Sequence, residues 1–216
     1  MEILPRLDRL RAEIDVLEHP FYQRWVAGEL RTEELSAYAL EYRHAVVALA
    51  DASARLAEEA QPAHQPALRR HAEEEAAHVA LWDQFALATG ARPGQLGRRA
   101  ANPGTRGCVC EWLSGHDPLE RLAVLYTVEA SQPQISETKL AGLVANYGYA
   151  PDSPATEYFR VHRTLDVEHS AHAGELIAEF GGPKGPPPER VRTLIERARG
   201  ALRGNWALLD GVSPRA

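Results

Sequence analysis

The sequence has 216 residues, a formal net charge of −6 and only two cysteines, Cys108 and Cys110. This length suffices for one sizeable core, so we predict one domain over residues 1–216. The acidic balance argues against nucleic acid as a partner. No apolar segment is long enough to span a membrane and no signal-peptide pattern occurs, which predicts a cytoplasmic protein with no membrane partner. The two cysteines are too close for an unstrained disulfide and form only a weak metal motif.

Apolar residues in the first part of the chain recur at helical spacing. They predict a helix over residues 2–17, a short helix over residues 21–30 and a long helix from residue 32 to residue 59. The long helix contains Glu41 and His44, a pair with the E-x2-H spacing of di-iron bundles. Both residues lie off the apolar stripe of that helix, so we predict that they belong to a solvated face.

A fourth helix is predicted over residues 67–89 and ends at Gly90. His78 shares the buried face of this helix with Glu75, and Glu74 is a neighbouring carboxylate. A carboxylate and an imidazole one turn apart, followed by aromatic core residues, suit half of a metal site. A run of three glutamates is also common on solvated faces, so this pair alone does not decide the function.

The middle of the chain is predicted to contain a loop and then a long helix. Residues 91–107 are rich in Gly, Pro and Arg and favour irregular structure. Asp117 and Pro118 suit the N-cap and the first position of a helix that continues to residue 147. This helix carries Glu129 on its apolar stripe, and Pro133 is expected to kink it.

The segment Tyr158–Phe180 carries the most functional information. The spacing of His162, Asp166 and His169 places all three along the middle of an apolar helical stripe. Each would cost roughly 1–3 kcal/mol or more if it were buried without a partner. One metal ion would satisfy all three. A last helix after the GGPKGPPP breaker completes an all-α bundle of about seven helices, without a strand pattern.

Three predicted helices therefore each place metal-binding side chains on a buried face. The candidate metal ligands are Glu75, His78, Glu129, His162, Asp166 and His169. Two ferrous ions would balance most of the charge of three carboxylates, which makes burial of the centre tolerable. Mixed carboxylate and imidazole ligation inside a helical bundle is typical of di-iron dioxygen chemistry, whereas zinc hydrolysis needs fewer ligands.

Several segments resemble, in order, those of the haem-oxygenase-like di-iron oxidases, which share their fold with thiaminase-II and pyrroloquinoline-quinone synthase. These segments are HPFYQRW, AYALEY, HVALWDQFALATG, LYTVEASQPQISETKLAGL and YFRVHRTLDVEH. The resemblance implies a haem-oxygenase-like fold. It also implies that the family's metal ligands correspond to His78, Glu129, His162, Asp166 and His169.

The remaining family glutamate has two alternative positions. Members with an E-x2-H motif place it where this chain has Glu75, and Glu74 is a substitute. Other members place it seven residues before the histidine, and this chain has His71 there, which departs from their pattern.

The resemblance implies an enzyme that uses two iron ions, in the Fe2+ and Fe3+ states, O2 as co-substrate and an external reductant. A Mn/Fe pair is compatible with the same ligands. By analogy we favour a small-molecule substrate, an amine or amino acid, that undergoes N-oxygenation or oxidative C–C or C–N cleavage. The same analogy leads us to expect a homodimer.

A second resemblance is to the para-aminobenzoate synthases of this family, which sacrifice one of their own tyrosines. The sacrificed tyrosine, a nearby tyrosine and a lysine correspond to Tyr22, Tyr38 and Lys139, the candidate catalytic residues. Tyr38 also fits a simple core position, and Lys139 also fits an ion pair with a carboxylate. A further alternative is a cofactor-free enzyme of this fold that acts on a thiamine or quinone-precursor heterocycle. That alternative, like a non-catalytic interaction module, leaves six ligand-type side chains buried without a metal.

Overall fold

The computed structural model describes residues 3–213, and every regular element within them is helical. The α-helices are α1 Leu4–Glu13, α2 Pro20–Ala27, α3 Thr32–Glu59, α4 Gln65–Ala88, α5 Pro103–Trp112, α6 Pro118–Glu129, α7 Gln132–Asn146, α8 Glu157–Phe180 and α9 Pro188–Val212. Short 3-10 helices occur at Val16–Glu18 and Pro93–Gln95. The predicted all-α class is confirmed. Residues 1, 2 and 214–216 of the predicted domain lie outside the described part.

The described chain has nine α-helices rather than about seven, and one additional helix is α5. The prediction of a loop over residues 91–107 was wrong from residue 103 onward. Asn102 caps α5 by accepting a hydrogen bond from the Thr105 amide at 2.9 Å, and Pro103 occupies its first turn. A Cβ on Gly104 would collide with the carbonyl oxygen of Ala207 on α9. The glycine therefore permits close helix packing here instead of marking a loop.

The second additional helix arises because the predicted kink at Pro133 is a complete break. α6 ends at Glu129, and Pro133 lies in the first turn of α7, where a missing amide proton costs little. The Arg11 side chain donates hydrogen bonds to the Ala130 carbonyl and, at 3.0 Å, to the Ser131 hydroxyl. A residue of α1 thus stabilises the break, and it leaves Glu129 at the buried end of α6.

The first predicted helix is also shorter than expected. α1 ends at Glu13, and the Asp15 side chain then caps the 3-10 turn by accepting from the Leu17 amide at 2.9 Å. His19 caps α2, because its Nδ1 accepts a hydrogen bond from the Phe21 amide at 3.0 Å. These two caps set the entry of α2 into the core.

Glu41 does not lie on a solvated face, contrary to the prediction. Its side chain is only 3% exposed, and Oε2 accepts a hydrogen bond from the Asn102 amide at 3.0 Å. His44 Nε2 is 3.0 Å from the Arg99 carbonyl oxygen. Glu41 and His44 therefore hold the segment that leads into α5.

One contiguous apolar core extends from Ile3 to Leu209. α4 packs along α3, and α8 packs against α4, α6 and α7. The functional side chains described below lie where these helices meet. None of the described helices combines the length and the apolar character needed to cross a membrane.

Candidate metal centre

Two helices each present three metal-type ligands with the same spacing. α4 carries His71, Glu75 and His78, and α8 carries His162, Asp166 and His169. In both helices the residues follow an i, i+4, i+7 pattern, which keeps them on one face. Glu129, the last residue of α6, adds a carboxylate from a third helix.

These side chains are removed from solvent. Glu75 and Glu129 are 0% exposed, and the His71 side chain is 11% exposed. His162, Asp166, His78 and His169 are also buried. The structure thus brings together all six ligands predicted from the sequence, and it adds His71, which the sequence analysis did not assign as a ligand. Their role as ligands remains a prediction.

The ligand atoms form two groups that share one residue. His71, Glu75, Glu129 and His169 form the first group, and Glu75, His78 and His162 form the second. Within each group the candidate ligand atoms all lie within 4.8 Å of one another. The arrangement suits two metal positions with Glu75 between them.

The distances show how closely these atoms approach. Glu75 Oε1 lies 3.2 Å from His78 Nδ1, 3.6 Å from His169 Nδ1 and 3.8 Å from His71 Nε2. His71 Nε2 lies 2.9 Å from Glu129 Oε1. Asp166 Oδ1 lies 3.5 Å from His169 Nδ1, so Asp166 borders the first group.

The inward-facing atoms of all seven side chains lack hydrogen-bond partners among residues 3–213. These atoms are His71 Nε2, His78 Nδ1, His162 Nε2, His169 Nδ1 and both carboxylate oxygens of Glu75, Glu129 and Asp166. The His71–Glu129 contact is short, but its angle falls outside hydrogen-bond geometry. A buried polar atom without a partner costs about 1–3 kcal/mol, and native proteins contain few of them. Cations at this position would satisfy the whole cluster, so these residues fit a metal centre.

Two histidines use their other ring nitrogen to fix the ring in place. His162 Nδ1 is 2.8 Å from the Tyr158 carbonyl oxygen, which leaves Nε2 for the centre. His169 Nε2 is 3.0 Å from Glu74 Oε2, which leaves Nδ1 for the centre. Metal-binding histidines commonly have such a partner on the outer nitrogen. The Glu74 side chain is 50% exposed, so the structure places Glu75 inside the cluster and Glu74 on the outer side of His169.

The electrostatics of the cluster favour added positive charge. Burial alone would lower the pKa of His71 and of His169, but the adjacent carboxylates outweigh it and raise both, that of His169 to about 9. Burial would raise the pKa of Glu75, yet His78 and His162 bring it below its usual value. Protonation of His71 and His169 therefore offsets part of the carboxylate charge in the protein alone, and a bound metal would displace these protons.

The second buried polar cluster contains the candidate catalytic residues Tyr22, Tyr38 and Lys139. Lys139 Nζ donates a hydrogen bond to the Tyr38 hydroxyl at 2.7 Å, and the two phenolic oxygens are 3.0 Å apart. Lys139 is only 1% exposed, and its Nζ lies 5.0 Å from the centroid of the Tyr22 ring. We call these three residues the tyrosine–lysine cluster.

Lys139 makes no ion pair among the described residues, so the alternative of a carboxylate partner is wrong. Burial lowers its pKa well below the ordinary value, and burial raises the pKa values of Tyr22 and Tyr38. Burial therefore favours the neutral form of all three groups.

Trp25 holds the lysine from the backbone side. Its Nε1 donates a hydrogen bond to the Lys139 carbonyl at 3.1 Å. One turn further along α7, a Cβ on Gly142 would lie 2.6 Å from Trp25 Cδ1. The glycine thus allows the indole to contact α7, and this contact fixes where Lys139 points.

Aromatic rings connect the candidate metal centre with the tyrosine–lysine cluster. The His162 ring stacks on Tyr158 at 3.9 Å between centroids, and Tyr158 contacts Trp82 at 4.8 Å. Trp82 contacts Tyr38 at 5.8 Å. The sequence analysis did not assign Tyr158 a role, although it lies one turn before His162 on α8.

An all-α bundle with buried carboxylate and imidazole ligands defines the class of non-haem metal oxidoreductases. Comparison with known proteins agrees with this class. Residues 36–203 match the family described as "iron-containing redox enzyme". The chain belongs to this family, which confirms the predicted oxidoreductase class and the use of iron.

The relatives and the structural neighbours agree with the predicted resemblance. The 4-aminobenzoate synthase of Nitrosomonas europaea is 30% identical over 226 residues, which cover 96% of this chain and 89% of that protein. A TenA homologue from Pseudomonas syringae pv. tomato superimposes with a TM-score of 0.85 at 16% identity, over 97% of this chain and 92% of that one. A Shewanella denitrificans domain with a heme oxygenase-like fold superimposes with a TM-score of 0.75 at 18% identity, over 97% and 88% of the two chains. The haem-oxygenase-like fold is thereby confirmed.

Proposed function

We propose that this protein is a 4-aminobenzoate synthase that takes the aromatic ring of the product from its own Tyr22. The observation that carries the proposal is the buried, neutral tyrosine–lysine cluster beside a candidate iron centre. The relatives support this alternative better than oxidation of a free amine or amino acid, which the sequence alone favoured. The cofactor-free alternative is disfavoured because it leaves the seven inward-facing ligand side chains without partners.

The chemistry of the product explains why a tyrosine is a suitable source. 4-Aminobenzoate has a carboxylate and an amine at opposite ends of a benzene ring, and tyrosine has carbon and oxygen at these positions. The conversion breaks the Cα–Cβ bond of the tyrosine, which leaves Cα in the backbone as a glycine residue, and oxidises Cβ to a carboxylate. Nitrogen replaces the phenolic oxygen, which leaves as water. O2 is the oxidant in this proposal, and an external reductant supplies the remaining electrons.

Lys139 is the amine that contacts the ring, and we assign the incoming nitrogen to it. Its Nζ is 5.0 Å from the Tyr22 centroid, and burial lowers the pKa of Lys139 well below its ordinary value, which favours the unprotonated nitrogen. An unprotonated amine is a nucleophile, whereas an ammonium is not. Transfer of this nitrogen also breaks the Cε–Nζ bond of the lysine, and Cε is oxidised in the same reaction to an aldehyde, with its oxygen supplied by water.

The proposed metal ligands are Glu75, His78, Glu129, His162, Asp166 and His169. When bound, two iron ions supply the oxidising power that a protein side chain lacks. The six ligands also suit a Mn/Fe pair. Metal analysis of protein from cells supplied with both metals distinguishes the two compositions.

In this proposal the aromatic residues between the two clusters carry an electron. The contacting rings of Tyr38, Trp82 and Tyr158 offer a path for an electron from Tyr22. The path leads toward His162, whose ring stacks on Tyr158. The Tyr22 proton moves to the Tyr38 oxygen 3.0 Å away. Lys139 Nζ donates a hydrogen bond to the same oxygen at 2.7 Å, which holds the nitrogen beside the Tyr22 ring. Burial of all three groups excludes water, which would otherwise compete with the lysine nitrogen.

A labelling experiment tests the proposed source of the ring. Protein made with ring-13C tyrosine is incubated with Fe(II), O2 and a reductant, but without any small organic substrate. We expect labelled 4-aminobenzoate, at most one molecule per chain, and mass changes confined to the peptides that contain Tyr22 and Lys139.

Two variants complete this test. Tyr22→Phe should make no product although it keeps its iron. Tyr126→Phe is the matched control, because this tyrosine bonds to Asp8 outside the cluster, and it should make the normal amount. Labelled product from Tyr22→Phe, or a product that requires an added amine or amino acid, would overturn the proposed function.

The proposal also covers the cellular location, the oligomeric state and the source of electrons. We propose a cytoplasmic homodimer that receives electrons from an external reductant. Support comes only from the family analogy. Light scattering on purified protein measures the oligomeric state, and a single-chain mass would reject the dimer.

A further inference from the structure

We infer that His71 is a direct metal ligand that completes one of two metal positions. This inference rests on the metal centre of the proposed function. The first position consists of His71, Glu75, Glu129 and His169, and Glu75 also serves the second position. This departs from the family members that have a glutamate seven residues before the histidine, at the place of His71.

The position of the His71 ring supports a ligand role. Its Nε2 lies 2.9 Å from Glu129 Oε1 and 3.8 Å from Glu75 Oε1, and its ring centroid is 4.0 Å from that of His169. The side chain is 11% exposed. An imidazole nitrogen therefore faces two carboxylates and a second imidazole in a buried space.

A purely structural role explains these contacts less well. If His71 simply paired with Glu129, their atoms would form a hydrogen bond, but the angle at the 2.9 Å contact is unsuitable. Both oxygens of Glu129 and of Glu75 also lack hydrogen-bond partners among the described residues. A single ion bound by His71 Nε2 and these oxygens would satisfy all of these atoms.

Helix geometry makes the replacement of the family glutamate possible. His71 and His78 are seven residues apart on α4, with Glu75 between them on the same face. Glu75 supplies a carboxylate to both positions, so the place seven residues before His78 can carry an imidazole instead. The centre then contains four imidazoles and three carboxylates.

Metal counting tests the inference without reference to activity. Apo-protein is titrated anaerobically with Co(II), which reports its coordination by visible absorption, and bound metal is counted by mass spectrometry after desalting. We expect two equivalents in the wild type and one in His71→Ala. Loss of an outer hydrogen-bond partner alone weakens metal affinity by about 10–100-fold, so loss of a direct ligand should weaken the affected position by at least about 100-fold.

Two further variants make this measurement specific. His71→Glu restores the family carboxylate and should bind two equivalents with an altered Co(II) spectrum. His64→Ala is the matched control, because its imidazole contacts the Glu179 carboxylate at 3.0 Å away from the cluster. It should bind two equivalents with the wild-type spectrum.

The outcomes separate this inference from the proposed function. Two equivalents with wild-type affinity and spectrum in His71→Ala would overturn the ligand role of His71 and leave 4-aminobenzoate synthesis intact. Wild-type protein that loses one equivalent on His71→Ala but makes no 4-aminobenzoate would overturn only the proposed function. If His71→Ala does not fold, His71→Gln is measured instead, and an unchanged spectrum in both Gln and Glu variants would reject the inference.

Discussion

The two buried polar clusters of this protein solve the same physical problem in opposite ways. The tyrosine–lysine cluster satisfies its polar atoms internally, through hydrogen bonds of 2.7 and 3.0 Å. The ligand cluster, which contains Glu75 and Glu129, leaves its carboxylate oxygens without hydrogen-bond partners among the described residues. Both clusters are closed to solvent.

The difference lies in how the charge is handled. Burial lowers the pKa of Lys139 and raises that of Tyr38, which favours a neutral cluster that needs no counterion. The ligand cluster retains carboxylate charge, since His78 and His162 hold the pKa of Glu75 below its usual value. The tyrosine–lysine cluster can therefore hold reactive groups without a counterion, whereas the charged ligand cluster attracts a cation. The proposed reaction needs both functions side by side.

The largest expected effect comes from removal of the carboxylate shared by both metal positions. Glu75→Ala should lose both metal equivalents, with each affinity reduced at least about 100-fold, and should make no 4-aminobenzoate. Glu73→Ala is the control, because Glu73 is exposed two residues earlier on α4. Equilibrium dialysis with Fe(II) measures both variants. Two retained equivalents in Glu75→Ala would mean that the ligand cluster does not bind metal.

Metal addition should stabilise the ligand cluster and thereby the whole protein. At a free metal concentration 100 times Kd, one site contributes about 2.7 kcal/mol, which corresponds to a Tm increase of about 5–11 °C for a chain of this size. A chelator should reverse the increase. Scanning calorimetry checks this, with Glu75→Ala as the control that should show little response. An equal rise in both proteins would place the stabilising ion elsewhere.

Glu74 should have a smaller effect, because it acts only through His169. Its carboxylate holds the outer nitrogen of that ring at 3.0 Å. Glu74→Ala should therefore weaken metal binding by about 10–100-fold without changing the number of equivalents. Glu74→Gln keeps an oxygen acceptor and should recover most of the affinity. Loss of a whole equivalent in Glu74→Gln would contradict a purely positioning role and identify Glu74 as a ligand.

Local sequence patterns were sufficient for α8 but not for α4. The shared buried position of His162, Asp166 and His169 could be predicted from the sequence. Polar residues on an apolar stripe are costly to bury unless a common partner satisfies them. The same i, i+4, i+7 spacing exists in α4, yet His71 was judged only as a departure from a family motif. Its nearness to Glu129 on α6 depends on the packing of two helices, which periodicity does not describe.

The errors in the fold have the same non-local origin. α5 resembles a loop in composition, but Gly104 allows close packing on α9. The break at Pro133 between α6 and α7 is stabilised by Arg11 of α1, which donates a hydrogen bond to the Ala130 carbonyl there. Glu41 is buried by a segment about sixty residues further along the chain. In each case the deciding partner lies far away in the sequence.

The smallest expected effect concerns the stability of the tyrosine–lysine cluster. Lys139→Met replaces a buried amine with an apolar chain of similar size. Because the amine is costly to bury and makes its side-chain hydrogen bond only to Tyr38 among the described residues, its removal should stabilise the fold by about 1 kcal/mol. The Tm should rise by about 2–4 °C, although product formation is lost. Tyr38→Phe should have the opposite sign, because it leaves both the Tyr22 hydroxyl and the lysine nitrogen without their hydrogen-bond partner.

The pH dependence provides an independent check of the neutral lysine. In the unfolded chain Lys139 binds a proton below its ordinary pKa of about 10.4, but in the folded protein its pKa is lowered by burial. The unfolded state therefore binds more protons over this range, and stability rises with pH toward that value. Urea unfolding between about pH 8 and pH 10 should show a steeper rise for the wild type than for Lys139→Met. Parallel slopes in the two proteins would mean that Lys139 keeps its proton in the folded state, and the nitrogen would then be unavailable for transfer to Tyr22.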